Sequence, residues 1–147
     1  YRSSSSFYLT CKHTTFGKRL APFELAAMHA FHTGAKAYKA YNSFCEITDD
    51  TGYELLRYET GQEFKEHVDT VSGHSEGARQ LTGLLYLNND YDGGQTSFPR
   101  QSLTVTPDPG DLLLFPSNFV YPHVSPPVLS GEKYVIVTWF VAHPERS

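Results

Sequence analysis

The run Gly131-Glu132-Lys133-Tyr134-Val135-Ile136-Val137-Thr138-Trp139-Phe140-Val141-Ala142 decides the fold class. It is dense in β-branched and aromatic residues, the types that fit a pleated and half-buried surface. From Glu132 to Ala142 it reads as the longest strand of the chain. Side chains alternate across a strand, so Lys133, Val135, Val137 and Trp139 share one face. A cation and an indole therefore point to the same side of an otherwise apolar strand.

The same period of two recurs upstream. Tyr53 to Glu59 is one expected strand and Leu81 to Asn88 another. In the second, Thr82, Leu84 and Tyr86 occupy one face, and Leu81, Leu85 and Leu87 the other. Short strands are expected at Thr96 to Phe98, Leu103 to Thr106 and Leu112 to Phe115, with Pro107-Asp108-Pro109-Gly110 as a tight turn between the last two. Asn89 to Gly94 is rich in turn formers and reads as a loop, and Tyr121 to Val128 as a proline-interrupted edge.

The N-terminal third differs. Arg2 to Ser6 is a serine tract, expected to be a frayed end or a linker remnant. Pro22 to about Tyr41 reads as a helix, favoured by six alanines between Ala26 and Ala40, with Phe23, Ala27, Ala30, Phe31, Tyr38 and Tyr41 on its packing face. Gly34 is expected to weaken or break it midway, and Thr48 to Gly52 to turn the chain. The expectation is a single, mainly β (α+β) domain over residues 1–147. Helical support at about 20–45 packs on a β core at about 53–142, as a sandwich or barrel.

At 147 residues the chain can bury a real core, and its ten Tyr, ten Phe and one Trp suit a β-rich structure. The net charge of −4 and the lack of any basic stretch argue against nucleic acid or an anionic membrane as partner. Cys11 and Cys45 are isolated, which points to a reducing compartment. With no bilayer-length apolar run and no signal-peptide pattern, a cytoplasmic location is expected.

His67 and Asp69 form a His-x-Asp pair, and His123 follows far downstream. Residues i and i+2 of a strand lie on one face, roughly 6–7 Å apart, so both can lean toward one ion. Two imidazoles and one carboxylate are the ligand set of a facial-triad non-haem Fe(II) site, which leaves positions open for substrate and oxygen. Lys133, just beyond the third ligand, is the cation that an iron-bound dicarboxylate would need, since a buried ammonium is costly without an anion. Plainer readings exist for each part. A lone His-x-Asp is usually a surface pair, and Lys133 could be an edge lysine that blocks strand pairing. Tyr58 and Tyr86 could be core aromatics. His29 and His32, three apart on the helix, could take zinc but have no carboxylate or cysteine nearby in sequence. His13, His74 and His143 read as surface groups.

Leu56-Arg57-Tyr58, Gly61, His67-Val68-Asp69, Tyr86-Leu87-Asn88, Gly93-Gly94-Gln95-Thr96-Ser97-Phe98-Pro99, Gly110-Asp111, Phe115, His123-Val124 and Gly131-Glu132-Lys133 together have a specific order and spacing. Over about residues 53 to 142 the chain resembles the prolyl 4-hydroxylase branch of the 2-oxoglutarate and Fe(II)-dependent dioxygenases. The resemblance implies a double-stranded β-helix (jelly-roll, cupin-like) core. It implies that His67, Asp69 and His123 hold iron and that Lys133 pairs with the distal carboxylate of 2-oxoglutarate. Tyr58, Thr96 and Tyr86 would hydrogen-bond around that cosubstrate, and Trp139 would lie near the iron. Gln95 departs from the Glu more common in the Gly-Gly-Glu-Thr stretch, a small change on a rim residue.

The implied cofactors are Fe(II), 2-oxoglutarate and O2, with ascorbate as a further one. The implied reaction is hydroxylation, because halogenating relatives lack the carboxylate that Asp69 supplies. A peptide or protein containing proline is the leading substrate, and Thr70 to Gln80 and Asn89 to Gly94 are candidate rim elements. A free amino acid, another side chain or a small metabolite is the nearest rival. A non-catalytic jelly-roll module holding zinc, and a structural β domain in which the triad is coincidence, are the others. The nucleic-acid demethylating branch uses an arginine soon after the second histidine, and no Arg lies between Arg100 and Arg146.

Overall fold

The computed structural model describes residues 1–9, 17–70 and 78–143. Cys11, His13, His74 and most of the expected rim segment Thr70 to Gln80 lie outside the described residues. Among the described residues twelve strands and one long helix follow in the order β1 (Ser5–Tyr8), α1 (Gly17–Tyr41), β2 (Asp49–Asp50), β3 (Glu54–Tyr58), β4 (Phe64–His67), β5 (Ala78–Tyr86), β6 (Asp92–Gly93), β7 (Ser97–Phe98), β8 (Leu103–Thr104), β9 (Leu112–Pro116), β10 (His123–Ser125), β11 (Val128–Ser130) and β12 (Lys133–Ala142). The larger antiparallel sheet has the order β1-β3-β12-β5-β9, with β2 pairing the far end of β12. A smaller sheet runs β4-β10-β7-β8, and β11 pairs β6.

β12 lies at the centre of the larger sheet, and its apolar run is explained by burial on both faces. Ile136 and Phe140 join Leu81, Ala27, Phe31 and Ala35 in a core between the sheet and α1. Val135 and Val137 on the opposite face join Leu56, Tyr58 and Tyr86, with Phe64 of the smaller sheet packed against them. The helix thus covers one face of the larger sheet, and the smaller sheet closes on the other. This is the layered β architecture expected from the strand spacing.

Close approach of the helix needs missing side chains. A Cβ at Gly83 would lie 2.8 Å from Phe31, and one at Gly34 would lie 2.3 Å from Leu112. Gly34 therefore does not break α1; the helix runs through it because β9 fills the space a side chain would take. The helix also begins at Gly17, one turn ahead of Pro22, which forfeits a single intrahelical bond there. Its buried stripe is Ala27, Phe31 and Ala35, whereas Phe23 and Tyr41, expected to pack, are exposed.

Long-range pairing overrides other local readings. The serine tract is not frayed: Ser5 and Ser6 belong to β1 and pair with Arg57 and Leu56, while Ser3 exchanges hydrogen bonds with Glu63. The Thr48 to Gly52 turn contains β2, which extends the sheet beside Phe140 and Val141. Asn89 to Gly94 contains β6, paired with β11. The segment Tyr121 to Val128 is not an edge, because β10 sits between β4 and β7. Nor is Lys133 an edge lysine, since it opens the central strand opposite Tyr58. β5 starts earlier and ends earlier than Leu81 to Asn88. Beyond its end the Asn88 side chain continues the ladder, accepting from Tyr134 N and donating to Glu132 O.

Candidate iron and cosubstrate site

The register of β4 against β10 sets His67 directly opposite His123. Neighbouring strands thereby bring two imidazoles to a centroid distance of 4.2 Å. Asp69 follows two residues after His67, where the chain bends off the end of β4, and its carboxylate turns back toward both rings. One ligand atom from each of the three residues lies within 4.8 Å of the others. It is the only such group of His, Cys, Asp or Glu among the described residues.

The same device orients both rings. His67 Nδ1 lies 2.7 Å from Lys65 O, and His123 Nδ1 lies 3.2 Å from Tyr121 O. A carbonyl accepts only, so each Nδ1 carries the proton and each Nε2 presents its lone pair inward. Phe64 stacks on the His67 ring at 3.6 Å, and Phe115 meets the His123 ring at 4.8 Å, which limits rotation. His67 Nε2 is buried and has no hydrogen-bond partner among the described residues. It faces Asp69 Oδ1 at 3.2 Å, and His123 Nε2 faces Oδ2 at 3.6 Å. Lone pairs gathered around a buried carboxylate repel one another unless a cation sits between them, so the donor set fits a divalent metal.

The electrostatics agree. Burial alone would raise the Asp69 carboxyl, but positive charge on the side of His67 and His123, together with the Thr82 hydroxyl, outweighs it and holds it below the usual range, and a metal cation is the charge that neutral rings leave room for. Burial pushes the His123 imidazole down against the opposing pull of Asp69, which favours the neutral form that a metal binds.

Lys133 is 2% exposed. Its ammonium donates to Gly94 O at 2.7 Å and to Ser125 Oγ at 3.1 Å. The rings of Tyr58 and Tyr86 flank it at 5.1 and 5.9 Å. No carboxylate pairs with it among the described residues, and burial pushes its pKa down from 10.5 to about 8. A narrow cavity, about 40 Å³ in the volume open to the centre of a water molecule, is walled by His67, Asp69, His123, Lys133, Tyr58 and Trp139. The candidate metal-binding cluster and a cation without a carboxylate partner among the described residues thus face one space.

A family model of the 2OG-Fe(II) oxygenase superfamily matches residues 53–141. The chain belongs to this superfamily. Its members use Fe(II), 2-oxoglutarate and O2, and the His-Asp-His cluster and Lys133 both lie within the matched residues. Among relatives, the chain is 36% identical over 104 residues to a putative prolyl 4-hydroxylase of Acanthamoeba polyphaga mimivirus, covering 59% of this chain and 43% of that protein. It is 35% identical over 115 residues to probable prolyl 4-hydroxylase 9 of Arabidopsis thaliana, covering 59% and 39%. The chain thus spans less than half the length of these relatives.

Among solved structures, the viral collagen prolyl hydroxylase of Paramecium Bursaria Chlorella virus-1, in its 2OG complex, superposes with a TM-score of 0.73. The identity is 18%, covering 96% of this chain and 80% of that one. A Pseudomonas putida prolyl-4-hydroxylase gives a TM-score of 0.68 at 21% identity, covering 97% and 74%. These likenesses establish the jelly-roll fold expected of this oxygenase superfamily.

The remaining expected residues fall in different places. Tyr58, Thr96 and Trp139 line the cavity. Tyr86 stands behind its wall and donates to Thr96 Oγ1 at 2.7 Å, so it reaches the cavity through Thr96. Trp139 carries the Arg79 guanidinium over its ring at 3.8 Å, and its indole N–H is buried without a partner among the described residues. His32, by contrast, is taken by Asp50, 2.7 Å away, and among the described residues His29 and His32 belong to no group that could hold a metal. His143 is exposed. Cys45 carries a free thiol.

Sequence reasoning missed Ser125, Thr82, Ser117, Arg79 and Arg2. Arg2 reaches the cavity from the bridge that Arg2 forms with Phe64, and its guanidinium pairs with Glu54 at 3.0 Å. Only Thr82 left a signal, since its strand parity places it on the face of Leu84 and Tyr86. Among the described residues no helix is long and apolar enough to cross a membrane.

Proposed function

We propose that this chain is the oxygenase core of an Fe(II)- and 2-oxoglutarate-dependent hydroxylase acting on a proline-containing peptide or protein. The observation that carries the proposal is the pairing of two unmet needs around one cavity. Among the described residues a buried lone-pair cluster lacks a cation, and a buried ammonium lacks an anion. A divalent metal chelated by a dicarboxylate meets both at once.

In this reading His67, Asp69 and His123 hold the metal, and the two Nδ1 bonds to Lys65 O and Tyr121 O keep the rings aimed. Lys133 anchors the far carboxylate of 2-oxoglutarate, with Ser125 and Gly94 holding the ammonium in place. Tyr58 and the Tyr86–Thr96 pair offer hydroxyls along the same wall. Phe64 and Phe115 keep water from the imidazoles. When bound, Fe(II) with 2-oxoglutarate and O2 supplies the oxidant for C–H hydroxylation, with succinate and carbon dioxide as co-products. The relatives' names support peptidyl proline as the substrate.

The test is an assay of succinate release under Fe(II), 2-oxoglutarate and O2, with proline-containing peptides screened by mass spectrometry for the gain of one oxygen atom. Peptide-stimulated succinate with a matching mass gain supports the reading. Stoichiometric metal binding without turnover on any substrate or uncoupled succinate release would favour a binding module instead.

A further inference from the structure

The protein itself holds the Asp69 carboxylate. Thr82 Oγ1 lies 2.8 Å from Asp69 Oδ2 and 2.8 Å from Ser117 Oγ, and both hydroxyl residues are 1% exposed. A carboxylate only accepts, so Thr82 spends its single proton on Oδ2. The contact with Ser117 must then be filled by the Ser117 proton. The direction of the chain is therefore fixed: Ser117 Oγ–H donates to Thr82 Oγ1, and Thr82 Oγ1–H donates to Asp69 Oδ2. Each link polarises the next and strengthens the bond at the carboxylate.

Ser117 fixes the backbone as well. Its carbonyl accepts from both Thr70 N and Thr70 Oγ1 at 2.8 Å, and its own N–H donates to Gln80 O at 3.0 Å. The residue that follows Asp69 and the Asp69 carboxylate are thus tied to the same serine. Arg79 Nη1 adds a bond to Asp69 O at 3.3 Å. Oδ2 also lies 3.6 Å from His123 Nε2, whereas Oδ1 faces His67 Nε2 more closely, at 3.2 Å, and receives no hydrogen bond among the described residues.

We propose that Thr82 and Ser117 are positioning residues that engage Oδ2, so that Asp69 meets the metal through Oδ1 alone. This rests on the metal-site reading above. A carboxylate free to swing would chelate through both oxygens and occupy a position that cosubstrate or oxygen needs. The relay thus protects the open half of the coordination sphere, and its effect is on the number of exchangeable ligands as well as on affinity.

Mn(II) alone is the probe. Its dissociation constant is read from the resonance of free Mn(II), and its bound waters are counted by water-proton relaxation. Thr82→Val keeps shape and β-branching but removes the hydroxyl. It is expected to weaken Mn(II) binding by about 10–100-fold, the usual effect of losing a partner that orients a ligand, and to lower the bound-water count. Thr82→Ser restores the hydroxyl and is expected to stay near wild type. Ser117→Ala leaves Thr82 its own proton and is expected to weaken binding by about threefold.

Mn(II) affinity and hydration unchanged in Thr82→Val overturn the proposal, and so does a Thr82→Ser variant as weak as Thr82→Val. Should Thr82→Val fail to fold in metal-free buffer, Ser117→Ala decides: an unchanged Mn(II) affinity overturns the relay. Wild-type protein that binds no Mn(II) sinks the metal site itself, an outcome distinct from the others.

Discussion

Replacing Lys133 by Met separates the stability of this protein from its function. The ammonium is buried with two neutral acceptors and no anion among the described residues, and the fall of its pKa from 10.5 to about 8 corresponds to about 3 kcal/mol against the charged form at neutral pH. The unfolded chain binds that proton up to pH 10.5, while the folded chain releases it near 8. The penalty is therefore complete below pH 8 and is relieved as pH rises to 10.5. Methionine fills similar volume without charge. Its cost is small, because Ser125 Oγ still donates to Gly94 O at 3.0 Å when the lysine is gone. With about 1 kcal/mol charged for the lost bonds, the net gain is about 2 kcal/mol, or roughly 6 °C in Tm for a domain of this size. Thermal unfolding of metal-free protein, with and without Mn(II) plus 2-oxoglutarate, is the assay. The variant should melt higher than wild type without ligand and lose most of the increment that 2-oxoglutarate adds to the Mn(II)-loaded protein. A variant that melts lower, or one that keeps the full increment, would refute the view of Lys133 as an uncompensated cation awaiting a carboxylate.

Other expectations follow from the same geometry. Binding of 2-oxoglutarate to Mn(II)-loaded wild type should weaken above pH 8, as Lys133 loses its proton, by up to about tenfold per pH unit; calorimetric titrations giving equal affinity at pH 7 and pH 9.5 would contradict this. Asp69→Ala should abolish succinate formation while its far-ultraviolet circular dichroism matches wild type; full turnover would remove Asp69 from the ligand set. Gly34→Ala raises helix propensity by about 1 kcal/mol, yet the new Cβ would lie 2.3 Å from Leu112. Overpacking of about 1–3 kcal/mol should win and lower Tm by several degrees; a rise in Tm would show that β9 yields freely. Trp139 is the only tryptophan and lines the cavity, so its fluorescence should be quenched stoichiometrically by Co(II). Emission indifferent to Co(II) would place the metal elsewhere.

The sequence made some parts of this site visible because short-range geometry governs them. His67 and Asp69 are two residues apart, and the parity of Lys133 with Val135, Val137 and Trp139 follows from strand alternation alone. Both survive any choice of neighbouring strand. What remained hidden depends on cross-strand register. Nothing in Arg2 to Ser6 announces a partner, yet the open side of β3 supplies one. The direct pairing of His123 with His67 is likewise a property of two strands far apart in sequence. Gly34 looked like a helix breaker because its reason, the Leu112 side chain on β9, lies on another element. Ser117 sits just past a strand end with no motif around it, and only the folded chain shows that it reaches Thr82 and the backbone beside Asp69. Pro126 and Pro127 suggested an edge, but they only separate β10 from β11, and β10 itself is enclosed.

One ferrous ion should bind where His67, Asp69 and His123 converge, beside a carboxylate held by Lys133. An anaerobic crystal structure with Fe(II) and 2-oxoglutarate, recorded at the iron absorption edge, tests this directly. One anomalous peak is expected within bonding distance of all three side chains, with a cosubstrate carboxylate against Lys133 Nζ. An anomalous peak at another site, or a cosubstrate that leaves Lys133 without an anion, would contradict it.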